Sequence, residues 1–166
     1  MKTIAAISTP AGVGGIGIIR ISGDDALNVV KKVFRAKNPS PFESYRVKFG
    51  YIVDEKENLM DQVLVSYFKA PKTYTGEDVC EINCHGGNVS TREILELVLR
   101  NGAVMAEPGE FTKRAFLNGK LDLTQAEAVI ELINSKSIKE SKASLKQLEG
   151  VLGEKIKAVK NSIVDL

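Results

Sequence analysis

Tryptophan is absent from this 166-residue chain, and histidine occurs once. Without Trp, any stacking surface rests on Tyr and Phe, and aromatics amount to only 6% of residues. With a single His, a four-ligand metal site would need a carboxylate or water to complete it. Cysteine is scarce too. Cys80 and Cys84 are the only two, too few for a disulfide framework, so a reducing compartment is expected. No run approaches the ~20 apolar residues that a membrane span requires. The opening MKTIAAISTPAG has one Lys and a short apolar run cut off by Pro10 and glycines, which does not make a secretory signal. The formal net charge of +2 is too small to select a nucleic-acid or membrane partner by itself. The expectation is a soluble, cytoplasmic protein with no membrane contact. What is present suffices for a core: 43% of residues are hydrophobic and 27% charged, ordinary globular values.

The pattern divides the chain. Up to about Phe116, short β-rich runs alternate with helical stretches. TIAAIS (3–8) and IGIIRIS (16–22) are β-branched runs around a glycine loop. Ser22 can cap a helix from Asp24 or Asp25 to about Phe34. YRVKFGYIV (45–53) and MDQVLVSYF (60–68) flank DEKEN as a hairpin. VCEINCH (79–85) reads as a strand. Ser90 or Thr91 can open a helix through about Arg100, which Asn101-Gly102 stops. AVMA is a short strand, and EPGEFTKRAF starts a helix with Pro108 at its entry. From Asp122 the pattern is helical throughout, and Asp122 with Gln125 resembles a capping box. Leu145, Leu148, Leu152, Ile156, Val159 and Ile163 form one apolar stripe on a long helix, weakened by Gly150 and Gly153 at ~1 kcal/mol each relative to Ala. That stripe needs partner helices, and SIVDL stops in phase. The expectation is a piece of a longer chain, or one that borrows helices from another chain. The fold class is α+β (α/β), followed by the start of an all-α domain.

GVGGIG, residues 12–17, fits the dinucleotide fingerprint G-x-G-x-x-G. That fingerprint works when its third glycine opens a helix facing the pyrophosphate. Here Gly17 is followed by strand-like IIRIS, and no glycine loop ends in Gly-Lys-Ser/Thr. The alternative is a strand–turn–strand link that needs positive φ or close backbone approach. On that strand Ile19 and Ile21 face one way, and Ile18, Arg20 and Ser22 the other. Arg20 is then either a surface residue on an edge strand or the holder of an anionic ligand.

Three other features stand out. On strand 79–85, Cys80, Ile82 and Cys84 share one face, while Val79, Glu81, Asn83 and His85 share the other. Glu81 either lies on a wet surface or reads paired N–H donors in a ligand pocket. His85 has no nucleophile placed for it by sequence, and packing or hydrogen bonding at the Gly86-Gly87 turn is expected. Lys113, Arg114 and Lys120 surround a helix–turn–helix join, with Lys120 either solvated or a mobile cation at a pocket edge. Lys outnumbers Glu between 136 and 160. That makes a solvated face or a weakly signalled RNA contact.

ISTPAGVGGIGIIRISG, YTGEDVCEINCHGG and PGEFTKRAFLNGKLDLTQAEAVIELI closely resemble, in the same order, the start of the bacterial tRNA-modification GTPases of the MnmE (TrmE) family. The resemblance covers about residues 3–150. It implies residues 1–118 as an N-terminal, tetrahydrofolate-binding-like domain with a mixed sheet, and 119–166 as the first helices of a helical domain. It implies a homodimer through the N-terminal domain that binds 5-formyl- or 5,10-methylene-tetrahydrofolate. Arg20, Glu81 and Lys120 match the family's folate-contacting positions. It further implies work on wobble uridine in tRNA with a flavin-dependent partner, MnmG (GidA), forming a 5-carboxymethylaminomethyl group.

These residues carry no Walker A or switch motif, so GTP, magnesium and potassium belong to a GTPase domain absent from this chain. The chain alone is then expected to be inactive, with no catalytic or metal-binding residue assigned. Two other readings are a folate-independent scaffold for dimerisation and partner docking, and a standalone aminomethyl-transfer enzyme.

Overall fold

The structure is a computed structural model that describes residues 1–150. The chain forms two compact units, Met1–Pro108 and a second beginning at Gly109.

The first unit is built on seven strands: β1 (Ile4–Ile7), β2 (Ile16–Ser22), β3 (Phe34–Ala36), β4 (Arg46–Val53), β5 (Leu59–Phe68), β6 (Val79–His85) and β7 (Val104–Met105). Their order across the sheet is β3-β4-β5-β6-β2-β1-β7. Every neighbouring pair is antiparallel except β1 with β7, so the sheet is mixed and the fold is α+β. Helices α1 (Ala26–Val33) and α2 (Asn88–Arg100) complete the unit. Val29, Val30 and Val33 of α1 join Ile94, Leu95, Leu97 and Val98 of α2 in one core with Ile19, Ile21, Val63, Val65 and Ile82 of the sheet. The period-2 alternation of the strands puts those sheet residues on one face. The register Arg20–Glu81–Ser66 across β2, β6 and β5 lies on the other.

Several boundaries differ from expectation. Ser22 does not cap α1. It ends β2 fully buried, and its hydroxyl donates to Glu77 Oε2 at 2.7 Å, with Thr75 Oγ1 also 2.7 Å away. Gly23 then turns the chain at φ +137°, where a Cβ would stand 2.7 Å from Thr3 Cα. Helix α1 begins only after both aspartates. Phe34 leaves it directly into β3, an unforeseen strand that exists by pairing Phe34 with Ile52. Helix α2 starts at Asn88 with Gly87 as its N-cap. Neither expected cap is available: Ser90 Oγ donates to Asp61 at 3.0 Å, and Thr91 Oγ1 donates to the Gly87 carbonyl.

The second unit holds α3 (Glu110–Leu117), α4 (Leu123–Asn134) and α5 (Ile138–Leu148) among the described residues. The capping box at α4 forms as expected. Asp122 Oδ1 accepts from Gln125 N at 2.8 Å, and Gln125 Oε1 accepts from Asp122 N at 2.9 Å. The same Gln125 donates its amide to Leu148 O at 2.8 Å, while Gln147 donates to Thr124 O at 3.0 Å, which ties α4 to α5. The expected long helix is corrected here. Helix α5 ends at Leu148, and Gly150 at φ +83° breaks the helix instead of weakening it, since a left-handed residue cannot continue a right-handed helix. Leu145 is exposed and Ser144 is the buried residue of α5. Leu152, Gly153, Ile156, Val159 and Ile163 lie outside the described residues. No helix among the described residues is long and apolar enough to cross a membrane.

Candidate functional site

The structure brings Arg20 and Glu81 together. β2 is an interior strand between β1 and β6, so Arg20 is not an edge-strand residue. It sits directly opposite Glu81 in the antiparallel register. Its Nε and Nη2 both lie 2.8 Å from Glu81 Oε1. The side chains are 31% and 21% exposed, half-sheltered and reachable from solvent. The guanidinium also stands over the Tyr74 ring, 5.8 Å from its centroid, within cation–π range. Ser66 lies directly opposite Glu81, and Asn83 shares the face two residues along the same strand; Asn83 donates its amide to Leu64 O at 3.3 Å. Below the pair in the same register lies the buried Ser22–Thr75–Glu77 cluster. Around it, Val47, Phe49 and Leu64 are exposed apolar residues on that same sheet face.

Lys120 belongs to the second unit. It follows Gly119, which has φ +68°, on the turn between α3 and α4. It is exposed, and its backbone N–H donates to Ala115 O at 2.8 Å.

The glycine loop is a β–β link. Gly17, the fingerprint's third glycine, lies inside β2 and not at a helix start. A Cβ on Gly17 would stand 2.2 Å from Thr91 Cγ2, and one on Gly86 would stand 2.6 Å from Gly14 O. Gly12 has φ +134°. Both physical demands of the strand–turn–strand reading, positive φ and close approach, are therefore met. The loop borders an open cleft of about 640 Å³ with Ile7, Pro10, Val13, Ile16 and Arg92 among its lining. Arg92 is paired with Glu96 at 3.0 Å.

His85 does not rest on the Gly86-Gly87 turn. Its Nδ1 lies 2.6 Å from Asp61 Oδ1, and its backbone N–H donates to Asp61 Oδ2 at 3.0 Å. The imidazole is 73% exposed, while the Asp61 carboxylate is only 9% exposed. Burial alone would raise the Asp61 pKa, but hydrogen bonds from His85 and Ser90 outweigh it and hold the carboxyl below its ordinary value. Sequence reasoning missed Asp61, because a carboxylate at a strand start carries no local signal. It missed Tyr74, Thr75 and Glu77 for a similar reason: their loop has no period, and only the fold carries it to the sheet.

The thiols face the core. Cys84 donates to Gly17 O at 3.3 Å. Burial first, then the Asp61 charge, pushes Cys84 up to about 11. Burial, then the Asp78 charge, pushes Cys80 up to about 12. Neither is a nucleophile at neutral pH. Among the described residues, no group of three or more His, Cys, Asp or Glu could hold a metal ion.

Fold and site together define a mixed-sheet α+β domain that carries an Arg–Glu pair on one face and leads into helices. Residues 3–120 match the family model described as the GTP-binding protein TrmE N-terminus, and the chain belongs to that family. It is 56% identical over 165 residues to a tRNA modification GTPase MnmE of Lactiplantibacillus plantarum. It is 54% identical over 168 residues to one from Alkaliphilus oremlandii, and 55% identical over 166 residues to one from Acetivibrio thermocellus. Each match covers 99% of this chain and 36% of the relative, so the chain spans about a third of the length of the curated relatives it matches.

Proposed function

We propose that this chain is the N-terminal part of a tRNA-uridine-modification GTPase and binds a reduced one-carbon folate, 5-formyl- or 5,10-methylene-tetrahydrofolate. The relatives' being tRNA modification GTPases supports the first half of that reading. Formation of the 5-carboxymethylaminomethyl group at wobble uridine, GTP hydrolysis with its magnesium and potassium, the flavin-dependent MnmG (GidA) partner and tRNA belong to the whole protein.

One observation carries the folate half: a carboxylate on an accessible sheet face with an oxygen to spare. Arg20 Nε and Nη2 both meet Glu81 at Oε1, which leaves Oε2 to accept from a ligand. A pterin presents an amidine-like edge of N–H donors, and a carboxylate oxygen is its complement. Glu81 would hold that edge, with Arg20 as the cation beside it; Lys120, carried by the second unit, is proposed as a further folate-contacting residue. When bound, the folate supplies a one-carbon unit. The chain's own residues bind and orient it. The domains would be 1–118 for folate and homodimer formation, and 119–166 for the first helices, in the cytoplasm.

The test is calorimetric titration with 5-formyltetrahydrofolate, with mass in solution measured alongside. Saturable binding by a dimer, lost in E81A with the melting curve intact, is the expected result. The exposed Val47, Phe49 and Leu64 favour a second reading, a folate-independent scaffold for dimerisation and partner docking. A folded dimer that binds no folate selects it.

A further inference from the structure

Helix α5 carries its positive charge in a pattern that its own fold does not use. We infer that its outward face, through Lys139, Lys142 and Lys146, is a docking surface for the phosphate backbone of RNA and positions that RNA without reading its sequence. This rests on the tRNA half of the proposed function and is independent of the folate half.

Four observations carry it. First, the three lysines share one face. At 3.6 residues per turn they fall in a stripe about 60° wide and about 10 Å long. The stripe lies away from Ser144, the buried residue of α5, and from Gln147, which bonds Thr124 O ahead of α4. Second, the charges are unspent. All three side chains are exposed, and none makes a hydrogen bond or ion pair among the described residues. Glu140 is turned to the backbone N–H of Lys136, at 2.8 Å. The stripe borders an open groove of about 470 Å³ in which Glu149 is the one acid among the described lining residues. Third, the pattern works against the helix. Lys142 and Lys146 are an i,i+4 pair of like charge, and Lys139 stands in the first turn, where the helix dipole disfavours a cation. Only Lys146, in the last turn, suits its own helix. A bound polyanion turns that local cost into a gain. Fourth, the chain has no Arg after Arg114 and no aromatic residue after Phe116. It offers this surface no guanidinium fork for base edges and no ring for stacking. A row of ammonium groups suits phosphates, which hold a nucleic acid in place without reading it. Phosphates recur every few ångströms along a nucleic acid, and a straight row of cations matches that spacing better than it matches the scattered carboxylates of a protein surface.

The experiment titrates a fluorescently labelled, unmodified tRNA transcript with three forms of this chain over a range of salt concentrations. The forms are wild type, K139Q/K142Q/K146Q, and K31Q/K56Q/K69Q, which loses the same charge from exposed lysines of the first unit. Gln matches Lys in helix propensity, so all three should share one melting curve. The expected result is that K139Q/K142Q/K146Q weakens binding by about tenfold or more at about 50 mM salt and lowers the slope of log affinity against log salt by about 2–3. K31Q/K56Q/K69Q should stay within about threefold of wild type with its slope unchanged. A transcript without a wobble uridine should compete as well as one with it. Equal losses in the two triple variants would reduce the effect to net charge and overturn the inference, as would an unchanged slope in K139Q/K142Q/K146Q. Displacement of the tRNA by poly-L-glutamate at an equal concentration of charge would assign the stripe to an acidic protein and overturn it too. Failure of the wild type to bind tRNA at low salt would overturn the inference alone. The proposed function assigns tRNA to the whole protein and is tested separately, by the folate titration.

Discussion

At the scale of single residues, the tightest constraint is Gly17. Its missing Cβ leaves room for the Thr91 methyl, which a Cβ would meet at 2.2 Å. Gly17→Ala is expected to destabilise the protein by about 1–3 kcal/mol through overpacking. Thr91→Ser removes that methyl and keeps the hydroxyl bond to Gly87 O, so T91S in the G17A background should recover much of the loss. Urea midpoints of the four proteins in the cycle check this. Equal losses with and without T91S would mean that the backbone around Gly86 sets the limit. Asp61 makes a prediction in pH. Its folded-state pKa is lowered, so its stabilisation is complete above its unfolded value and fades as pH falls through the folded one. The stability gap between wild type and D61N should therefore stay constant above about pH 5 and narrow below about pH 4. Urea melts across that range measure it, and a gap independent of pH would remove the carboxylate from this role.

At the scale of elements, local chemistry decides what a sequence reading can reach. The capping box of α4 was legible because both partners sit within one turn, Asp122 and Gln125. Asp122→Ala is expected to cost about 1 kcal/mol, read as a lower melting temperature. Gln125 also reaches Leu148 O, so Q125A should loosen the α4–α5 pair as well as the cap. The hairpin of β4 and β5 was legible from two β-rich runs around a polar turn, and the two faces of β2 and β6 from alternation. Ser22 misled because a hydroxyl before a helical stretch reads as a cap, whereas the fold spends it on Glu77 and Thr75. Strand β3 was invisible because three residues carry no period of their own. The site was half legible. Alternation put Arg20 and Glu81 each on a polar face. That they oppose one another follows from the pairing of β2 with β6, which nothing local encodes, and Tyr74 is carried to them by a loop.

At the scale of the molecule, the core explains how much of the chain is needed to hold the Arg20–Glu81 pair. Every residue of the main hydrophobic cluster lies between Ala5 and Ala103, inside the Met1–Pro108 unit. A chain ended at Pro108 should thus melt cooperatively and keep Cys80 and Cys84 shielded from alkylation at pH 8. Rapid labelling of both thiols without denaturant would show that the core needs residues beyond Pro108.

The seam between β2 and β6 has a consequence in time as well as in space. The hairpin β1–β2 and the meander β4–β5–β6 each close between neighbours in the chain, while Ile19 meets Ile82 only by closing a loop of about 60 residues, a step that costs more entropy than either. Arg20 and Glu81 stand on opposite banks of that seam. On a growing chain the arginine is made long before its carboxylate, and the pair cannot exist until the two halves of the sheet have joined. A ligand that requires the pair is therefore blind to half-folded chains and draws only finished ones out of the folding population.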